Sequence, residues 1–225
     1  MFFLIILVML ASWLVSWRFR SKFEEYSQIP LSAGLSGRAV AEKMLSDNGI
    51  TDVKVISAEG RLSDHYNPGD KTVNLSPEVY DGHSIASAAV AAHECGHAVQ
   101  HAQAYAWLQF RSSMVPLLTI TSQWVQWVLI GGILMINVFP ALIWIGIALF
   151  AFTTIFSFVT LPVEFDASRR ALAWMDTSGV ARSQEHETAK NALWWAAMTY
   201  VVAAIGSLAT LLYYVTIAMG GSRRS

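Results

Sequence analysis

Residues 112–163 read SSMVPLLTITSQWVQWVLIGGILMINVFPALIWIGIALFAFTTIFSFVTLPV, 52 positions without a single Asp, Glu, Lys, Arg or His. A helix crosses the hydrocarbon core of a bilayer in about 20 apolar residues, so the run is too long for one crossing and suits two. Asn137, Val138, Phe139 and Pro140 divide it near its middle with turn-forming chemistry, so it reads as a membrane hairpin. The two ends of a hairpin lie on the same side of the bilayer.

Working outward, Met1 to Trp17 is uncharged and strongly apolar, and Arg18, Arg20 and Lys22 follow at once. A signal peptide carries its positive charge before the apolar core and small residues at its end. Here Trp13 and Trp17 precede the cations instead, as interfacial aromatics of a transmembrane helix do. A further uncharged run, Asn191 to Ser222, supplies another span centred on Ala203 to Leu212. The expected architecture is a mainly α integral membrane protein of about four transmembrane helices, with a small α+β region outside the spans. Hydrophobic residues at 54% against charged ones at 14% agree with it. The net charge of −1 and the lack of any basic block exclude nucleic acid as a partner; the lipid bilayer is the expected surrounding. A lone cysteine excludes an intramolecular disulfide framework and a Cys-rich metal site.

The chemistry lies in the polar segments. From Phe23 to Arg111 the composition turns soluble, and Ser32 to Gly37 (SAGLSG) reads as a linker that closes on a helix start, with Ser32 or Ser36 as its cap. Val40, Ala41, Met44 and Leu45 recur at helical spacing until Asn48-Gly49 stops them. Val53, Val55 and Ser57, then Thr72 to Leu75, alternate as two short strands, a small β ribbon joined through Leu62 to Gly69. An alanine-rich helix follows, and it carries His93-Glu94-Cys95-Gly96-His97.

On a helix of about 3.6 residues per turn, His93 and His97 stand one turn apart on one face and reach a single ion. Glu94 lies about 100° round from His93, at the edge of that face, where a carboxylate holds water at the ion without ligating it. Two imidazoles and one carboxylate suit Zn2+ with an open fourth position, so the expected reaction is peptide-bond hydrolysis by a zinc-activated water, with Glu94 as general base. Cys95 points to the opposite side and reads as a small packed residue, and Gly96 on the ligand side has room for another segment to come close. Since the hairpin returns the chain to the side of this helix, its exit residue Glu164 is the expected third ligand. His101 continues the stripe, but three helical turns span about 12 Å, too far for one ion. The spacing of a third histidine that marks metzincins is absent. His65, Tyr66 and Tyr200 are the candidates for stabilising the oxyanion or contacting substrate.

Together, Asp64 to Pro68, Leu75-Ser76, Ala91 to Gln100, Leu161 to Ser168 and Ala196 to Val201 resemble, in the same order, the YugP-type neutral zinc metallopeptidases, which are bacterial membrane proteins. The resemblance spans nearly the whole chain. It implies zinc ligands at His93, His97 and Glu164 and a catalytic Glu94, in agreement with the reading of the residues themselves. A more distant similarity is to the HtpX and CAAX-prenyl membrane proteases, whose third ligand opens Glu-x-x-Ala-Asp. Ala167 fits that pattern, Ser168 stands where its Asp would be, and Asp166 is left to pair with Arg169 or Arg170.

The expected organisation is a transmembrane anchor at 1–20, a cytoplasmic zincin-like region at 21–111, a transmembrane hairpin at 112–163, a third-ligand helix and cytoplasmic segment at 164–193, and a last span at 194–219. Nine Lys or Arg from Arg18 to Arg111 and four from Arg169 to Lys190, against two in the tail, place the metal side in the cytoplasm. The leading expectation is a membrane zinc metalloendopeptidase of the gluzincin type, acting on proteins or peptides in membrane-protein processing or quality control. Its rival is a non-catalytic adaptor or chaperone-like module in which zinc only pins two helices together; an intact Glu94 favours the enzyme. Metal transport is disfavoured because the 52-residue run offers no ionisable side chain to line a path.

Overall fold

The computed structural model describes residues 2–60 and 63–221. Met1, Arg61, Leu62 and residues 222–225 lie outside the described residues, and with them the first residue of the anchor, one end of the Leu62 to Gly69 connection and the tail arginines. Seven helices occur among the described residues: α1 (Phe2–Ser27), α2 (Gly37–Asp47), α3 (Pro77–Tyr80), α4 (Ile85–Ala102), α5 (Ala106–Leu134), α6 (Ala141–Thr177) and α7 (Ser183–Gly221). Three strands stand between α2 and α3: β1 (Lys54–Ser57), β2 (His65–Asn67) and β3 (Thr72–Leu75). The chain divides into two compact units, one of residues 1–15, 110–161 and 199–225 and the other of residues 16–109 and 162–198.

The first unit is helical. Three helices, Ala106–Leu134, Ala141–Thr177 and Ser183–Gly220, are long and apolar enough to cross a membrane, and the break between the first two falls at the Asn137 to Pro140 interruption. The fourth expected span, α1, is a 26-residue helix but is not among those three. Leu129, Ile143, Ile147 and Ala218 form a buried cluster in this unit. Gly132 makes it possible, since a Cβ there would lie 2.6 Å from the Ile143 Cα; small residues let helices approach closely where no water drives their association. Thr154 Oγ1 and Ser207 Oγ share a hydrogen bond of 2.7 Å between α6 and α7. Trp127 faces outward and is 69% exposed.

The second unit has its own core. Val40, Ala41, Met44 and Leu45, the helical stripe of α2, pack with Val73 and Leu75 of β3, the alanines of α4, and Ala171 and Met175 of α6. Ser36 caps α2 by accepting from the Ala39 N–H at 3.3 Å, so Ser36 rather than Ser32 starts the helix, and Gly49 at φ +70° follows its end. The strands depart from the expected ribbon. β1 and β3 run parallel, and β2, from the connection between them, pairs antiparallel with β3 in the order β1-β3-β2. Two parallel strands need a crossover, which a hairpin turn cannot make, and β2 lies in the connection between them. Asn67 builds the β2–β3 turn, its Oδ1 accepting from the Gly69 N–H at 2.9 Å and the Asp70 N–H at 3.4 Å.

Candidate metal centre

Helix α4 begins at a buried serine cap, with Ser84 Oγ accepting from the Ser87 N–H at 3.1 Å. Its alanines keep the profile small, so Ala88, Ala89, Ala91 and Ala92 are buried against the core and the helix is fixed along its length. The rings of His93 and His97, one turn apart, stand with centroids 4.9 Å apart at an interplanar angle of 85°. Residues 162–177 of α6 supply the third group. Glu164 Oε2 is 3.3 Å from His93 Nε2 and 3.6 Å from His97 Nε2, and one donor atom from each of the three residues falls within 4.8 Å of the others. Two donors held about 2.0–2.1 Å from a tetrahedral zinc stand about 3.3 to 3.5 Å from each other. The His/His/Glu group is therefore positioned to bind a metal ion, and its donor chemistry suits zinc.

Gly96 sets this spacing. A Cβ at that position would lie 2.6 Å from the Ala167 carbonyl oxygen and 3.1 Å from its Cα, so only glycine lets the α6 backbone come this close to α4. Burial by itself would push His97 down, but the hydrogen bond and the charge of Glu164 more than offset it, and the imidazole ends above its ordinary value. Without metal, the same donors attract a proton.

Two side chains to which sequence reasoning assigned no role support the histidines. Gln100, fully buried, meets His97 Nδ1 with Oε1 at 3.0 Å and donates from Nε2 to the Val163 carbonyl at 2.8 Å and to Asp166 Oδ2 at 2.9 Å. Ser168 Oγ lies 3.1 Å from His93 Nδ1. The available signal was spacing: Gln100 follows His97 by three helical positions, and Ser168 follows Glu164 by four, which puts each on its partner's face. Ser168 thus meets the metal histidine from the position where the distantly similar pattern has an aspartate. Asp166 pairs with Arg169 and Arg170, the latter at 2.5 Å, and accepts from Gln100.

Glu94 is 8% exposed, and its Oε2 accepts from the Tyr66 N–H at 3.0 Å. Tyr66 stands opposite Val73 in the β2–β3 register, so an N–H given to α4 turns the outer edge of β2 toward Glu94. The Tyr66 phenol shares a 2.8 Å hydrogen bond with His101 Nδ1, and burial raises the phenol above its ordinary value. Among the oxyanion candidates, Tyr66 meets Glu94 through its backbone N–H. His65 is exposed, its Nδ1 donating to the Ser63 carbonyl at 2.7 Å, and Tyr200 lies on α7 in the other unit. Asp64 accepts from the Ser76 N–H at 2.7 Å and so ties the approach to β2 to the end of β3. Cys95 is buried with its thiol toward the Ala41 carbonyl at 3.5 Å, as a packed residue, and burial raises it well above the ordinary value.

Residues 1–219 match the model of a family described as "Putative neutral zinc metallopeptidase". The chain is 39% identical over 219 residues to a Bacillus subtilis (strain 168) protein named "Putative membrane protease YugP", covering 97% of this chain and 96% of that protein. Comparison with solved structures finds no match.

Proposed function

Because this chain belongs to the neutral zinc metallopeptidase family, we propose that it is a membrane metalloendopeptidase of the gluzincin type, with His93, His97 and Glu164 as zinc ligands and Glu94 as general base. The observation that carries the reading is the convergence of the three donors within 4.8 Å, with Glu94 next to His93 on the same helix. When bound, zinc supplies Lewis acidity, which makes water acidic near neutral pH and polarises the scissile carbonyl.

The chain's own residues do the rest. Glu94 takes the proton of the attacking water and delivers it to the leaving amine, and its Oε2 is held by the Tyr66 N–H while that happens. The outer edge of β2 faces this carboxylate, so an extended substrate peptide adds to it as a further strand. Charge that builds on the carbonyl oxygen needs a donor, and Tyr66, paired with His101, is the first candidate ahead of His65 and Tyr200. The membrane reading adds α1 as a fourth span, puts the metal side in the cytoplasm by the positive-inside rule, and makes membrane-protein processing or quality control the expected role.

The test compares wild type with Glu94→Gln in detergent, measuring zinc content and cleavage of casein and of membrane-protein substrates. The variant is expected to keep its zinc and to lose about 10²- to 10⁴-fold in kcat. Equal cleavage by both proteins removes Glu94 as the general base, and zinc retained with no cleavage by either moves the conclusion to the non-catalytic adaptor.

A further inference from the structure

The Gln100 side chain has no exposed surface, and its whole hydrogen-bonding capacity is spent on the two helices that carry the metal set. The orientation of its amide is fixed by one partner. The Val163 carbonyl only accepts, so Nε2 faces it, and the second N–H goes to Asp166 Oδ2. Oε1 is then the atom turned to His97 Nδ1 and can only accept. A neutral imidazole that donates from Nδ1 keeps its lone pair on Nε2, the nitrogen that lies 3.6 Å from Glu164 Oε2. The acceptor beyond the amide is itself secured, because Asp166 is paired with Arg169 and Arg170.

We propose that Gln100 is a positioning residue that holds His97 with Nε2 toward the ion and, through the same amide, fixes the stretch of α6 on either side of Glu164. This rests on the zinc reading of the site. One side chain thus sets both the protonation pattern of an α4 ligand and the seating of the α6 ligand. His93 is oriented separately by Ser168, so the two imidazoles have independent supports. Such outer partners govern metal affinity as well as turnover, since a ligand free to rotate or to carry its proton on the wrong nitrogen must be corrected each time the ion binds.

The experiment uses the full-length protein in detergent and reads zinc affinity by chelator competition. Gln100→Met keeps length and volume but offers neither acceptor nor donor, and its affinity is expected to fall about 10- to 100-fold. Gln100→Glu keeps the acceptor for His97 but loses both donations to α6, and its affinity is expected to lie between wild type and Gln100→Met. In zinc-loaded protein carrying 15N-histidine, the wild-type His97 signal is expected to show a protonated Nδ1 in a hydrogen bond, which Gln100→Met loses and Gln100→Glu retains. Wild-type affinity in Gln100→Met overturns the proposal, as does equal loss in both variants, which assigns Gln100 to helix docking alone. Zinc missing from the wild type is a different result: it overturns the metal reading of the site, and this role with it.

Discussion

At Gly96 a missing methylene group determines a metal site. Alanine there would press its Cβ to 2.6 Å from a backbone oxygen of α6, which cannot rotate away as a side chain end would. Gly96→Ala is therefore expected to destabilise the fold by about 1 to 3 kcal/mol. It should also weaken zinc binding more than Cys95→Ala does, with denaturant melts and chelator competition as the two readouts. His97 makes a second prediction. Its imidazole, raised above 6.5 by Glu164, binds a proton where zinc would bind, so affinity is full above that raised value and falls as pH drops through it. Zinc titrations across pH should show the loss beginning at a higher pH than for an ordinary imidazole, and Glu164→Gln should move the onset lower while weakening binding throughout. His93, His97, Glu94 and the packed Cys95 could be named from helical spacing, because an i, i+4 pair is a purely local fact. Gln100 and Ser168 could not be weighted so, since what each touches is decided by a neighbouring segment 63 or more positions away along the chain.

On the scale of elements, α4 and β2 face each other across Glu94. The helix starts at Ser84, whose side chain is buried and satisfies the Ser87 N–H. Ser84→Ala is expected to lower stability by about 1 kcal/mol, read as a lower denaturation midpoint with zinc stoichiometry kept. Strand β2 is the element that the alternation of apolar and polar residues did not reveal. Three residues are too few for a periodic pattern, and His65-Tyr66-Asn67 sits beside Pro68 and Gly69, which look like a turn and do form one. The pairing of β1 with β3 was expected, but its parallel direction was likewise beyond local patterning. An antiparallel ribbon and a parallel pair with a strand inserted in the crossover share the same two strand segments, and only the path of residues 58–71 separates them.

For the molecule as a whole, the three residues proposed as zinc ligands bridge α4 and α6, so ion binding should act as a clamp on the unit that holds them. With free zinc at about 100 times the dissociation constant, linkage adds about 2.7 kcal/mol of stability, and chelation should lower the thermal midpoint in wild type but not in Glu164→Gln. Membrane orientation can be tested with introduced cysteines, because the native Cys95 is buried and stays silent. With a membrane-impermeant maleimide on intact cells, Val138→Cys, at the exposed hairpin turn, should label and Thr177→Cys, beyond the ligand-bearing part of α6, should not. The reverse pattern places the metal side outside. By itself, the amino-acid sequence determined that this is a mainly helical protein with long apolar helices broken at Asn137 to Pro140 and a His-Glu-x-x-His helix, because hydropathy over about 20 residues and contact between neighbouring helical turns are both local properties. Only the tertiary structure decided that Glu164 reaches both histidines, that glycine at position 96 permits it, that Gln100 and Ser168 stand behind the ligands, and that β2 turns its edge to Glu94. Each of these depends on the distance between segments far apart in the chain, and packing of the core, not any local pattern, sets that distance.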